Sequence, residues 1–145
     1  MYNTILVPID ILEDDLTDKM LPHVEALAKI DNPKIHFLTV IPNVEMFFGV
    51  EYASLPVSLR ESGERIELAL AALQDLLKGI SVPARQYTLH AVIGSAKNEI
   101  LSYAKEINAD LILMGSHRPD AATFLLGSTA AGIVRHAKTS VMVVR

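Results

Sequence analysis

The sequence contains no cysteine, which excludes disulfide bonds, thiolate metal ligands and thiol catalysis. No apolar run is long enough to span a membrane, and the opening residues MYNTILVPID carry no basic segment of the kind that begins an export signal. The net charge is −4 and lysine and arginine form no cluster, so the positive surface that nucleic-acid binding requires is missing. We therefore expect a cytoplasmic protein with neither a nucleic-acid nor a membrane partner.

The chain has enough hydrophobic residues to form a core. It has 145 residues, 50% of them hydrophobic, and a chain of that size buries most of its unfolded surface without cross-links. No internal repeat, low-complexity tract or linker composition divides it. We predict one domain over residues 1–145.

Short apolar runs rich in β-branched residues alternate with segments of helical periodicity. The predicted strands cover residues 3–10, 34–42, 84–94, 110–116 and 140–145. The first helix is expected to begin near residue 17 or 18, since Pro22 is tolerated only in a first turn, unless the helix is kinked. Gly79 is predicted to stop the second helix, Ser95 to cap the third and residues 128–137 to form the fourth, with a long loop over residues 43–58.

This alternation predicts an α/β fold, a doubly wound five-stranded parallel sheet of flavodoxin or Rossmann type with helices on both faces. Ligands in such sheets bind beyond the carboxyl ends of the strands, beside the point where the strand order reverses. The segments to consider are therefore residues 8–10, 40–42, 93–95 and 114–118.

Two Gly-Ser pairs, Gly115-Ser116 and Gly127-Ser128, flank one loop near the end of the chain. The second pair precedes a predicted helix, whose N-terminus offers unpaired N–H groups and a partial positive charge. Such a helix end can bind phosphate, although Ser128 taken alone is better explained as an ordinary N-cap. Two pairs facing one crevice favour a phosphate chain.

Two other phosphate-linked classes lack their required residues. No Gly-Lys dipeptide occurs, so a Walker A loop is absent. Asp10, Asp14 and Asp15 resemble the acidic pocket of a phosphorylated receiver domain. That class also needs an acidic acceptor after the third strand and a lysine after the fifth, and the segment AVIGS and the chain end provide neither.

The segments PID, LTVIP and MGSHRP…LLGSTAAGIVRHAKTSVMVVR together resemble the universal stress protein family over essentially the whole chain, and within it the small single-domain, F-type nucleotide-binding branch. The resemblance implies a flavodoxin-like fold, a dimer, and ATP with Mg²⁺ held at the strand ends. It places Asp10 near the ribose or the Mg²⁺, the Val40 backbone at the adenine edge and Gly127 to Thr129 on the phosphates. The residues it assigns to nucleotide binding are Pro8, Ile9, Asp10, Val40, Met114, Gly115, Ser116, His117, Arg118, Gly127, Ser128, Thr129 and Ala130.

The chain departs from the family's commonest ATP-binding pattern, which is Gly, two residues, Gly, nine residues, Gly-Ser. Arg118 stands at the second glycine and the following Gly-Ser comes one residue early. We predict that Arg118 compensates by reaching the β- or γ-phosphate with a charged fork. Val7, Ile9 and Val40 are expected to supply apolar contact with the base.

These residues favour ATP binding rather than ATP hydrolysis, and we assign no catalytic residue. The leading hypothesis is an ATP-binding universal stress protein that acts as a nucleotide-dependent sensor or adaptor. One alternative is a slow ATPase or autophosphorylating protein, with Ser116, Ser128 and Thr129 as candidate acceptors. A second is a nucleotide-free dimeric interaction module. His117 has no paired nucleophile and is interpreted as a loop histidine rather than a proton donor.

The terminal segment SVMVVR is apolar until Arg145 and contains no proline or lysine that would discourage pairing with another chain. A fifth strand in this topology lies at a sheet edge. We therefore expect a homodimer through residues 140–145, formed edge to edge about a two-fold axis. The alternative is that the 43–58 loop covers this edge within one chain.

Overall fold

A computed structural model describes residues 1–43, 62–116 and 127–145, and within these ranges five strands form one sheet. The strands are β1 (Thr4–Pro8), β2 (Lys34–Ile41), β3 (Tyr87–Ile93), β4 (Leu111–Gly115) and β5 (Ser140–Val144). The α-helices that the same ranges contain are α1 (Asp14–Ala28), α2 (Ser62–Leu76), α3 (Ala96–Glu106) and α4 (Ser128–His136). Each strand run is short, apolar and rich in β-branched residues, as strands buried on both faces are.

The sheet has the order β3-β2-β1-β4-β5, and every neighbouring pair is parallel. The chain runs outward from β1 through β2 to β3, then returns to the other side of β1 to form β4 and β5. The strand order thus reverses between β1 and β4. This arrangement confirms the predicted doubly wound parallel sheet.

Side-chain alternation along the central strands divides the core into two layers. Ile5 and Val7 of β1 face the layer that contains α1 and α2, whereas Leu6 between them faces α3 and α4. In β4, Leu113 and Ile112 divide in the same way. Because the exposed fraction of all five side chains is 1% or less, the sheet is covered on both faces and helices lie on both sides of it.

Helix α1 begins at Asp14, so the prediction that it begins near residue 17 or 18 is wrong. The helix continues through Pro22. Pro22 and Asp18 are both exposed, so water can solvate the Asp18 carbonyl that loses its N–H partner. Asp14 and Asp15 in the first turn favour the helix start electrostatically. Burial of Thr17, Met20, Val24 and Ala28 holds the helix on the sheet.

The other predicted helix boundaries agree with the structure better than the predicted start of α1 does. Gly79 has φ +80°, the left-handed conformation expected of a residue that stops a helix. Ser95 is the N-cap residue of α3 in extended conformation, but its side chain makes no capping hydrogen bond. The third strand is shorter than predicted, since residues 84–86 form a short 3₁₀ helix that leads into β3.

Strand β5 lies at a sheet edge, beside β4, as predicted. Its central residues Val141 to Val143 are half-buried and Ser140 is exposed. Of the predicted 43–58 loop, residues 44–58 lie outside the described residues, so its relation to this edge stays a prediction. In the part of the chain that is described, no helix has both the length and the apolar character needed to cross a membrane.

Candidate functional site

A cavity of about 650 Å³ opens beyond the carboxyl ends of the strands, where the order reverses between β1 and β4. Elements from both faces of the sheet meet there, with α1 on one side and α3 and α4 on the other. We call this cavity the strand-end crevice. Its described lining consists of Pro8, Ile9, Asp10, Ile11, Leu12, Leu16, Thr17, Met20, Val40, Ile41, Pro42, Ala96, Ile100, Met114, Gly115, Gly127, Thr129 and Ala130.

The lining of the strand-end crevice is mostly apolar. Ile9, Met20, Ile100 and Met114 are at most 4% exposed, so their positions are fixed by the core packing behind them. Among the described lining residues the one charged side chain is Asp10. The crevice is therefore suited to a ligand with a large apolar surface.

Asp10 is held by the turn that joins β1 to α1. Its Oδ1 accepts a hydrogen bond from the N–H of Leu12 at 3.0 Å, and its carbonyl accepts one from the N–H of Glu13 at 3.0 Å. An aspartate that bonds to the backbone two residues on is a common turn device. The carboxylate is thus oriented by its own loop at the rim of the crevice.

Gly115 ends β4 against helix α1. A Cβ atom at this position would lie 2.5 Å from both Cγ and Cδ1 of Leu16. Glycine is needed here because the α1 side chain occupies the space where a Cβ would stand. The contact brings α1 and β4 together across the wall of the crevice.

Ser116 connects the end of β4 to the start of α4. Its N–H donates to the carbonyl of Val144 at 2.9 Å, which extends the ladder between β4 and β5. Its Oγ accepts a hydrogen bond from the N–H of Gly127 at 3.2 Å. Ser116 therefore uses both groups to position α4 beside the sheet.

The N-terminus of α4 points its first turn at the crevice. Gly127 is the N-cap residue, so Ser128, Thr129 and Ala130 occupy the first turn, where the N–H groups have no intrahelical acceptor. Thr129 and Ala130 line the crevice, whereas Ser128 is exposed and does not. Gly127 has φ −62° and ψ 159°, a conformation open to any residue, so the backbone angles do not require a glycine there.

Nine of the predicted site residues line the crevice together: Pro8, Ile9, Asp10, Val40, Met114, Gly115, Gly127, Thr129 and Ala130. Ser116 adjoins it through Gly127, and Ser128 lies outside its lining. His117 and Arg118 lie outside the described residues. Val7 was expected to touch the base, but it is fully buried in the core and absent from the lining.

The lining also includes residues that the sequence did not indicate, chiefly from α1 and the start of α3. Leu16, Thr17 and Met20 lie within about one turn of α1 and face the crevice, with Ala96 and Ile100 opposite them. Met20 and Ile100 belong to the buried faces of their helices. Which residues of a helix face border a cavity depends on how the helices pack on the sheet, and no local sequence pattern indicates those residues.

A second polar cluster lies away from the crevice, between β2, β3 and α3. The rings of His36 and His90 stack with centroids 5.8 Å apart, and Thr88 Oγ1 lies 3.1 Å from a nitrogen of each. Burial lowers the pKa of His36, aided by the charges of His90 and Lys34. Burial also lowers the pKa of His90. Both pKa shifts favour the neutral form of the two imidazoles in the folded protein.

Taken together, the doubly wound parallel sheet and a strand-end crevice bordered by a helix N-terminus define the class of α/β proteins that bind ligands at the switch point of the sheet. The family model of the universal stress protein family matches residues 1–145. The chain belongs to the universal stress protein family.

Known relatives cover the whole chain. It is 34% identical to universal stress protein G of Escherichia coli O157:H7 over 146 residues, which is 100% of both chains. Among solved structures, hypothetical protein MJ0577 of Methanocaldococcus jannaschii superposes with a TM-score of 0.75 at 25% identity, covering 99% of this chain and 96% of that one. A universal stress protein solved in complex with cAMP superposes with a TM-score of 0.64 at 23% identity, covering 99% and 97%.

Proposed function

We propose that the strand-end crevice binds an adenine nucleotide, ATP with Mg²⁺, and that the protein acts in the cytoplasm as a nucleotide-dependent sensor or adaptor in a stress response. The observation that carries the proposal is the juxtaposition of an apolar cavity with the N-terminus of α4 at the switch point of the sheet. A base and a phosphate chain are the two parts of a nucleotide that such a site would hold.

The apolar part of the crevice would hold the base. Its volume of about 650 Å³ falls within the range of small-molecule sites. Ile9 and Val40, which the family resemblance assigns to the nucleoside, both line it, and Met20 and Ile100 close the opposite walls. Adenine offers a large apolar face, so its burial would contribute much of the binding free energy.

The phosphates would lie at the start of α4. The first-turn N–H groups and the helix dipole stabilise an anion by up to about 2 kcal/mol. Micromolar affinity requires about 8 kcal/mol, so the helix end alone is insufficient and contact with the base must supply much of the difference. A ligand that combines both parts satisfies this requirement, and the solved relative with cAMP holds such a ligand.

Asp10 fits a magnesium ion that arrives with the nucleotide. Within the described ranges no group of three or more His, Cys, Asp or Glu side chains could hold a metal ion. Mg²⁺ in nucleotide sites is held by one or two carboxylates together with phosphates and water. The oriented carboxylate of Asp10 at the crevice rim would supply one ligand, and the ion would supply charge neutralisation for the phosphates.

Fast phosphoryl transfer needs a fixed metal ion, a positioned nucleophile and a cation at the γ-phosphate. The described lining holds one carboxylate and no lysine or arginine. These residues favour binding over turnover. For the alternative of slow autophosphorylation, Thr129 is the favoured acceptor, because it lines the crevice while Ser116 Oγ is bonded to Gly127 and Ser128 lies outside the lining.

Native mass spectrometry of the gently purified protein tests the proposal. Co-purified ATP at one per chain is the expected result. ADP together with a phosphorylated chain would favour the slow enzyme, and an empty crevice that also fails to bind added ATP, AMP or cAMP in calorimetry would favour the nucleotide-free interaction module. The same spectra report the mass of the assembly, and we propose a homodimer through β5.

A further inference from the structure

A second cavity, of about 340 Å³, lies at the opposite end of α3 and α4 from the strand-end crevice. It forms where the C-terminal ends of the two helices leave the sheet. We call it the basic groove, and its described lining consists of Leu101, Ala104, Lys105, Asn108, Ala109, Ile112, His136, Ala137, Lys138 and Thr139. Nothing in the proposed nucleotide site uses these residues.

The floor of the basic groove is apolar. Ile112 of β4 is fully buried and Ala104 of α3 is 8% exposed, so the floor is part of the α3–α4 side of the core. Leu101, Ala109 and Ala137 pack against the same layer and are half-buried. The groove therefore offers a fixed apolar surface for a hydrocarbon group.

The rim of the basic groove is cationic. Lys105, His136 and Lys138 are exposed and line it, and no acidic side chain does. Within the described residues neither lysine forms an ion pair or a hydrogen bond. His136 donates its Nδ1–H to the carbonyl of Gly132 at 3.0 Å, which leaves Nε2 facing away from the helix. The chain as a whole carries a net charge of −4, so this rim is a local reversal of sign.

Cations at helix ends often serve to balance the helix dipole, and Lys105 and His136 are placed to do so. Some of the last carbonyls of both helices, however, already accept backbone hydrogen bonds. The N–H of Ala109 donates to the carbonyl of Ala104 at 2.9 Å, and the N–H of Ala137 donates to that of Ile133 at 2.8 Å. Lys138 lies beyond α4, where the dipole does not account for it.

From this combination we infer that the basic groove binds a small organic anion with an apolar body, such as a medium-chain carboxylate. The carboxylate would lie against Lys105 and Lys138, and the hydrocarbon chain against Leu101, Ala109 and Ala137, whose side chains are half-buried. Charge complementarity selects an anion, and the apolar floor selects against a bare ion. The volume admits a molecule of metabolite size.

Three probes of related structure test the inference. Their binding is monitored by two-dimensional NMR of the isotopically labelled full-length chain. Octanoate carries both the charge and the tail, acetate the charge alone, and octylamine the tail with the opposite charge. We expect octanoate to shift the amide signals of Lys105, Asn108 and Thr139, with an affinity at least roughly tenfold higher than that of acetate or octylamine. Equal binding of either control, or no binding of octanoate, overturns the inference.

Lys138→Glu reverses the rim charge outside any helix, so folding is preserved. It should lower octanoate affinity by roughly tenfold or more, whereas Lys29→Glu, an exposed change at the end of α1, should leave it unchanged. Octanoate shifts that centre on Thr129 and Ala130 would place the ligand in the strand-end crevice and overturn the inference. Failure here leaves the nucleotide proposal intact, because ATP binding is measured separately.

Discussion

The side chain of Leu16 occupies the space beside Gly115, so that a Cβ atom there would lie 2.5 Å from Leu16 Cγ. The contact joins α1 to the end of β4 at the wall of the strand-end crevice. Moving Cγ requires rotation about the Leu16 Cα–Cβ bond, which a helix restricts. The glycine at this position is thus required by packing, whatever ligand the crevice holds.

Gly115→Ala should lower the free energy of unfolding by about 1–3 kcal/mol, the usual cost of overpacking. Urea denaturation measures it. Gly63→Ala in α2 is the matched control: a Cβ there meets nothing within 4 Å, and loss of chain entropy in the unfolded state should raise stability by about 0.4–1 kcal/mol. Leu16→Ala should relieve most of the cost of Gly115→Ala. Equal effects of the two glycine changes would show that Leu16 does not constrain position 115.

Gly127→Val tests the phosphate end of the crevice. The backbone angles of Gly127 suit valine, so the added side chain should act mainly by obstructing the first turn of α4. ATP affinity measured by calorimetry should fall by roughly tenfold or more, the equivalent of one charge-assisted hydrogen bond. Val134→Ala on the exposed face of α4 should leave the affinity unchanged. A folded Gly127→Val protein with wild-type affinity would refute the phosphate assignment.

Arg118→Ala tests the departure from the family's glycine pattern. If Arg118 reaches the β- or γ-phosphate, its removal should cost roughly 1.5–3 kcal/mol, or one to two decades of ATP affinity. AMP lacks the distal phosphates and should bind almost as before. Calorimetry with both nucleotides separates the two cases. Equal losses for AMP and ATP would assign Arg118 a role in folding instead.

Much of this architecture follows from the sequence. Apolar strand runs separated by helical periodicity predicted the parallel sheet, and the rule for strand ends predicted that Pro8–Asp10, Val40 and Gly115 would border one cavity. The rule also indicated residues 93–95, which are not in the lining. Most strand ends were predicted one or two residues too long, as at Ile9, which follows β1 and still donates its N–H to the carbonyl of Leu38 at 2.8 Å. The start of β3 was predicted three residues too early, because residues 84–86 form a 3₁₀ helix.

The errors have physical causes. Val7 was placed in the crevice, but it lies inside β1, where the core covers it, whereas Ile9 packs in the same layer just beyond the strand end and lines the cavity. The start of α1 was placed too late because tertiary burial outweighs the local cost of Pro22. The α1 wall of the crevice, including Leu16 and Met20, depends on how that helix packs across the sheet.

The His36–His90 pair predicts a dependence of stability on pH. Burial lowers the pKa of both histidines in the folded state, so between that lowered value and the ordinary value of 6.5 the unfolded chain binds more protons. Stability should be fully present above pH 6.5 and should fall as the pH drops through the folded-state pKa values. Urea denaturation between roughly pH 7.5 and pH 5, the span over which histidine titrates, measures the slope.

His90→Gln should flatten that slope, since it removes one titrating group and the charge that lowers the pKa of His36. His136→Gln, at an exposed position at the end of α4, should leave the slope close to that of the wild type. A slope that His90→Gln does not change would assign the pH dependence to other groups.

Val143→Lys tests assembly through the edge strand. If β5 pairs with a second copy, a lysine at the centre of this strand should shift sedimentation from dimer to monomer, because charge disfavours edge pairing. Ser102→Lys, at an exposed position of α3 outside β5, is the control and should leave the dimer intact. A wild-type protein that sediments as a monomer at high micromolar concentration would contradict the dimer and favour the loop over residues 43–58 as the cover of this edge.

The strand-end crevice is lined by five separated segments of the chain, beginning at Pro8 and ending at Ala130. No contiguous stretch of the chain contains more than a fraction of it. A nascent chain therefore lacks the site until α4 has docked, however complete β1 and β2 already are. Any ligand of the crevice would consequently bind only the folded protein. Its binding would be lost when the sheet as a whole unfolds.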